Sequence, residues 1–195
     1  MSSEKNSTCE RILDSTLQLL ETGGGSQVRM SDIARQAGVS RQAVYLHYPG
    51  RAELLVAATR HLDDKLKIHD QLARCRALQG DPARLDAWIE VWGNYIPSIY
   101  GVAKALLAMK DTDEEARTAW NDRMQAMREG CAAAVDALDS AGKLNPALGR
   151  TQASDLLWAL LSVRTWEQLR LECGWSQQQY IGKMKQAAAR MLMAD

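Results

Sequence analysis

The chain has 195 residues, 46% of them hydrophobic and 25% charged, with a formal net charge of zero. These are the proportions of an ordinary globular protein, and they exclude a disordered, collagen-like or strongly basic chain. With a neutral total, any attraction to nucleic acid has to be local.

Four prolines, no phenylalanine and long stretches of Ala, Leu, Gln, Arg and Glu point to an all-α protein. No hairpin signal interrupts them. Ser7-x-x-Glu10 predicts a capping box ahead of Ile12, Leu13, Thr16, Leu17 and Leu20, and Gly23-Gly24-Gly25 ends that first helix. Ser31 is expected to cap a second helix, with Asp32 in its first turn and Gly38 at its end. Ser40 caps a third, which Tyr48-Pro49-Gly50 stops.

A long helix is then expected over 51–78. Gly80-Asp81-Pro82 separates it from a helix bearing Leu85, Trp88, Ile89, Trp92 and Ile96, with Asp81 as cap and Pro82 in its first turn. Pro97 bends or ends that helix, and a short helix follows over 98–110. Thr112-x-x-Glu115 reads as a capping box for a helix to about Ser140, with a stripe from Ala116 through Trp120, Met124, Met127, Cys131 and Ala134 to Leu138. After a turn over 142–149, two last helices span 151–173 and 176–193, the second opened by Ser176-x-x-Gln179.

The stretch 30–55 reads as a helix-turn-helix, a unit that places a short helix in the DNA major groove. From Arg29 to Arg51 four arginines stand against Asp32, a local surplus of about three charges. Wound at about 100° per residue, the helix after Ser40 puts Val44 and Tyr48 toward Ile33, Ala34 and Ala37. Gln42, Ala43, Tyr45 and Leu46 fall on the opposite arc. Glutamine there can pair with a base edge, and apolar groups can touch thymine methyls. Arg41 is placed for a guanine edge or a phosphate; Tyr45, His47 and Arg51 for phosphates. The helix N-termini at Ser31 and Ser40 suit phosphate oxygens. A helical hairpin that only packs would share much of this pattern.

The residues Asp32-Ile33-Ala34, Ala37-Gly38-Val39-Ser40, Val44-Tyr45-Leu46-His47-Tyr48, and Arg51 with Glu53-Leu54-Leu55 resemble the N-terminal signature of the tetracycline-repressor (TetR) family of bacterial transcriptional regulators. The resemblance covers roughly Thr8 to Thr59. It implies about nine helices, a homodimer and a ligand pocket in the C-terminal body. The domain division expected is 1–52 for DNA binding and 53–195 for ligand binding and dimerisation.

The last two helices carry broad apolar faces, including Leu157, Leu160, Leu161, Ile181, Met184 and Met191, suited to pairing two subunits. Six tryptophans are unusual for this length. Trp88, Trp92, Tyr95, Met109, Trp120, Met124, Met127 and Trp158 are the candidate lining of a pocket for a hydrophobic small molecule, although a core stripe has the same spacing.

The expected function is a DNA-binding regulator, a repressor released from a palindromic operator by that effector. Two alternatives stand beside it: a helical ligand- or partner-binding protein whose head is structural, and a thiol redox regulator. Cys9, Cys75, Cys131 and Cys173 lie far apart and read as free thiols, and with three scattered histidines no metal-ligand spacing arises. There is no phosphate loop, G-x-S-x-G or H-E-x-x-H, so no enzyme activity and no cofactor are expected. A polar N-terminus and the lack of a membrane-length apolar run point to the cytoplasm and no membrane partner.

Overall fold

The computed structural model describes residues 7–22, 28–78 and 81–194, without the side chains of 81 and 82. The glycine triplet at 23–25 and the capping roles expected of Asp81 and Pro82 lie outside what is described. Among the described residues the fold is all-α, with one isolated antiparallel bridge between Leu144 and Met193.

The helices are α1 (Thr8–Thr22), α2 (Met30–Ala37), α3 (Arg41–His47), α4 (Arg51–Lys65), α5 (Ile68–Ala77), α6 (Asp81–Met109), α7 (Glu114–Ser140), α8 (Arg150–Leu160), α9 (Val163–Glu167) with a π-helical turn (Gln168–Glu172), and α10 (Gln177–Leu192). Several starts follow the local code. The Glu10 carboxylate accepts from the Ser7 amide at 2.8 Å and Ser7 Oγ accepts from the Glu10 amide at 3.2 Å. Ser176 and Gln179 pair likewise at 2.7 and 3.1 Å.

Elsewhere the expectations are corrected. The helix expected over 51–78 breaks at Lys67, which adopts a left-handed φ of 51°. The cap of α7 is Asp113 rather than Thr112: its carboxylate accepts from the amides of Glu115 and Ala116, both at 3.1 Å. The helix expected over 151–173 is interrupted near Leu161, where Ser162 caps a new start by accepting from the Thr165 amide.

Pro97 neither ends α6 nor starts a new helix. A proline in a helix frees the carbonyl four residues earlier, here that of Gly93. The side-chain amide of Gln177, first residue of α10, donates to that carbonyl at 2.7 Å. The same glutamine accepts from Trp166 Nε1 at 3.2 Å and Arg170 Nε at 3.1 Å. Gly93 also lets α10 come close, since a Cβ there would lie 2.8 Å from Ile181 Cγ1.

The chain divides into two compact units. One comprises the described residues of Met1–Leu66 and Ile99–Arg123, the other those of Lys67–Ser98 and Met124–Asp195. In the first, Ile12, Leu17 and Leu20 of α1, Ile33 and Ala37 of α2, Val44 of α3, and Leu54, Leu55 and Ala58 of α4 form a core. Val102, Leu106 and Met109 of α6 and Ala116 and Ala119 of α7 join it. In the second, Trp88, Ile89, Trp92, Cys131, Leu138, Leu157, Trp166, Tyr180 and Leu192 are buried.

Candidate nucleic-acid interface

The turn between α2 and α3 is set by Gly38, at φ 65°, a left-handed conformation that glycine adopts without a Cβ clash. The amides of Gly38 and Val39 return to the carbonyls of Arg35 and Ala34, closing α2. Ser40 then opens α3, its Oγ accepting from the Ala43 amide at 3.0 Å. Ser31 does not play the same part in α2. Arg29 occupies the capping position without a side-chain bond, and Ser31 sits exposed inside the first turn.

Val44 is fully buried and fixes the inner side of α3. Tyr48 is half-buried just beyond its end, with its hydroxyl 2.9 Å from Cys9 Sγ on α1. Burial, with the Cys9 thiol beside it, pushes the Tyr48 phenol up, so the group stays protonated. Outward, Arg41, Gln42, Tyr45, Leu46 and His47 are exposed, with Ala43 half-buried. Leu46 is 81% exposed and Tyr45 41%. The Arg41 guanidinium lies 5.5 Å from the centre of the Tyr45 ring and donates to its hydroxyl at 3.3 Å.

Arg51 is a correction. Expected at the DNA backbone, its side chain is 7% exposed and belongs to the core of the first unit. Its Nη1 donates to both oxygens of Asp113, at 2.8 and 3.0 Å, and to Glu115 at 3.1 Å. Its Nε donates to the Val28 carbonyl. The Asp113 carboxylate thus ties the first residue of α4 to the start of α7. No local signal in the sequence marks that pairing.

The candidate effector residues separate. Trp88 and Trp92 stack at 6.2 Å and Tyr95 lies 5.6 Å from Trp92, all in the second unit. Met127 is buried and Met124 half-buried on α7; Trp158 on α8 is half-buried, with the Arg128 guanidinium 3.8 Å from its ring centre. Met109 lies in the core of the first unit and Trp120 packs against that core.

Trp92 Nε1 donates to the Leu161 carbonyl at 2.7 Å, whereas the buried Trp88 Nε1 and Tyr180 Oη have no hydrogen-bond partner among the described residues. Trp88 packs on Gly130, where a Cβ would lie 2.1 Å from its ring. A helix-interior glycine in an apolar stripe was the available sign of that contact. A separate cavity of about 290 Å³ is lined by Arg128, Ala132, Asp136, Arg150, Thr151, Ser154 and Asp155, none of them a candidate residue.

All four thiols are free. Burial pushes Cys131 up to about 12, offset in part by the Trp88 indole and the charge of Arg128. Burial also raises Cys75. Among the described residues no group of three His, Cys, Asp or Glu could hold a metal ion. No described helix is long and apolar enough to cross a membrane.

Residues 12–58 match the model for bacterial regulatory proteins of the tetR family. The nucleoid occlusion factor SlmA of Marinomonas sp. (strain MWYL1) is 32% identical over 66 residues, 34% of this chain and 34% of that protein. The HTH-type transcriptional regulator SrpR of Pseudomonas putida is 41% identical over 65 residues, 33% of this chain and 30% of that protein. The chain therefore spans about a third of the length of the curated relatives it matches. Along nearly all of its length it has the fold of a TetR transcription regulator from Haloarcula marismortui, with a TM-score of 0.69 at 18% identity, over 95% of this chain and 98% of that one. Residues 12–58 are thus similar to the N-terminal domain of the tetR family of bacterial regulatory proteins, and the chain shares its fold with a solved regulator of that kind.

Proposed function

We propose that the protein is a DNA-binding transcriptional regulator, a repressor that binds a palindromic operator as a homodimer and leaves it when a hydrophobic small molecule binds. The observation that carries this reading is the outer face of α3. Val44 is fully buried, while Leu46 is 81% exposed beside exposed Gln42 and Tyr45. An exposed leucine alone is ordinary, but placed with Gln42 and Tyr45 on the one face opposite Val44 it suits a groove-reading helix.

DNA contact is assigned to residues 1–52, through Ser40, Arg41, Gln42, Ala43, Tyr45, Leu46 and His47, with the exposed N-terminal turn of α2 at Ser31 against the phosphates. Effector binding and pairing are assigned to 53–195. The stacked Trp88 and Trp92, with Tyr95, supply the aromatic surface of the effector site, and the unpartnered hydroxyl of Tyr180 would welcome an acceptor atom on it. Pairing through α8 and α10 would cover Leu156, 40% exposed, and the half-buried Leu160, Ile181 and Met191. Two heads held one helical turn apart, about 34–36 Å, would meet successive major grooves.

The test is binding to the DNA upstream of the protein's own gene, and then across the genome, as a function of salt. Tight binding whose logarithm falls linearly with log salt is expected, at roughly 0.9 per phosphate contact. Absence of such binding in both settings would overturn the proposal.

A further inference from the structure

We propose that Leu46 is the thymine-reading residue of the operator contact, and that Gln42 reads an adenine about two base pairs from it. This rests on the DNA-binding reading above and specifies what that helix recognises. Val44, fully buried, defines the inner side of α3. At about 100° per residue, the direction opposite Val44 falls midway between Gln42 and Leu46. These two side chains, rather than Arg41 or Tyr45, stand at the crest of the exposed arc.

Arg41 is held to the flank. Its guanidinium lies over the Tyr45 ring and donates to the Tyr45 hydroxyl at 3.3 Å. That pair suits the phosphate wall of the groove, leaving the base edges to Gln42 and Leu46.

The chemistry of the two residues then selects the bases. Scattered exposed leucines are ordinary on protein surfaces. Leu46 differs in its place at the crest, where it is 81% exposed and outside the core cluster of its own unit. It has neither donor nor acceptor, so it cannot read the polar edges of adenine, guanine or cytosine. The apolar group offered in the major groove is the thymine C5-methyl. Gln42 has both a donor and an acceptor and matches N6 and N7 of adenine. Four residues along a helix advance about 6 Å, and two base steps advance about 6.8 Å. Each half-site should therefore carry an adenine and a thymine methyl about two base pairs apart, on the same or opposite strands.

Duplexes bound by the purified protein are selected from a random pool, and each thymine of the enriched site is replaced singly by deoxyuridine, which removes only the methyl. At one position in each half-site the wild type should bind about fourfold more weakly, the worth of one buried methyl. Replacing that thymine by 5-methylcytosine should be tolerated better than replacing it by cytosine. Leu46→Ala, a change at an exposed position, should fold normally by circular dichroism and lose the thymine–uracil distinction. Gln42→Ala should keep that distinction and lose the adenine preference.

If no deoxyuridine substitution weakens binding, or if Leu46→Ala still discriminates, the inference is wrong while DNA binding stands. An unenriched pool would instead overturn the DNA-binding reading, and this inference with it.

Discussion

Replacing Arg51 by alanine asks whether that guanidinium serves the protein or the DNA. The Arg51 and Asp113 side chains are 7% and 8% exposed, and the pair is closed through both carboxylate oxygens. Removing one partner of such a buried pair costs about 3–5 kcal/mol, because the other charge is left without compensation. Two features favour the lower end. Asp113 keeps the amides of Glu115 and Ala116, and Arg51 Nη2 already lacks a partner among the described residues. Glu115 is 44% exposed, so its added pairing is screened and does not raise the figure.

We therefore expect Arg51→Ala to lose about 3 kcal/mol, a fall in melting temperature of about 6–12 °C for a chain of this size. Urea unfolding measures the loss, and a salt titration of DNA binding measures the charge at the interface. The urea midpoint should drop while the slope of log affinity against log salt stays unchanged. An unchanged midpoint with a slope reduced by about 0.9 would refute the reasoning and return Arg51 to the phosphates. In a double-mutant cycle, Arg51→Met with Asp113→Asn should cost less than the two changes summed, because neither charge is then left alone.

Gln177→Leu should destabilise the protein by about 1–3 kcal/mol in urea, since it strips partners from the Gly93 carbonyl and the Trp166 indole together; an unchanged midpoint would show that water serves them equally well. Gly130→Ala gains helix propensity of about 1 kcal/mol in open space. Here the new Cβ would strike the Trp88 ring, so a net loss of about 1–3 kcal/mol is expected by calorimetry, and a raised melting temperature contradicts the packing. Ser40→Ala should cost about 1 kcal/mol through its lost cap, whereas Ser31→Ala should stay within about 0.5 kcal/mol; equal losses would mean that both cap. Burial pulls the Asp14 carboxyl up, but hydrogen bonds from Lys65 and His61 together outweigh it and hold it below the usual range; Arg60 and Arg123 do the same for Asp122. Folded-state values below the unfolded ones add stability that is present above about pH 4 and lost as pH falls further. Asp14→Asn with Asp122→Asn should flatten that acid loss in pH-dependent urea titrations, and an unaltered acid limb would count against it.

The N-terminal helix-turn-helix was the most legible part of the chain. Ser40 caps three residues ahead, Gly38 turns the chain by itself, and the inner side of α3 follows from a fixed rotation per residue. The same locality made the boxes at Ser7–Glu10 and Ser176–Gln179 readable, and it misplaced the caps of α2 and α7 by only a residue or two. Eight residues grouped as one pocket lining were less legible, because a stripe along a helix says that its members are buried but not in which core. Met109 and Trp120 satisfied the spacing and went to the first unit.

The all-α class, most helix starts and the outer face of α3 were determined by the sequence alone, because each depends on residues within about one helical turn of one another. The tertiary structure decided the rest. It assigned Arg51 to Asp113, 62 positions away, and let Pro97 stay inside α6 because Gln177, 84 positions from Gly93, supplies the missing donor. In both cases a charged or polar group has the same local sequence whether it faces water or the interior. Its partner is brought to it only by the fold, and that partner determines its role.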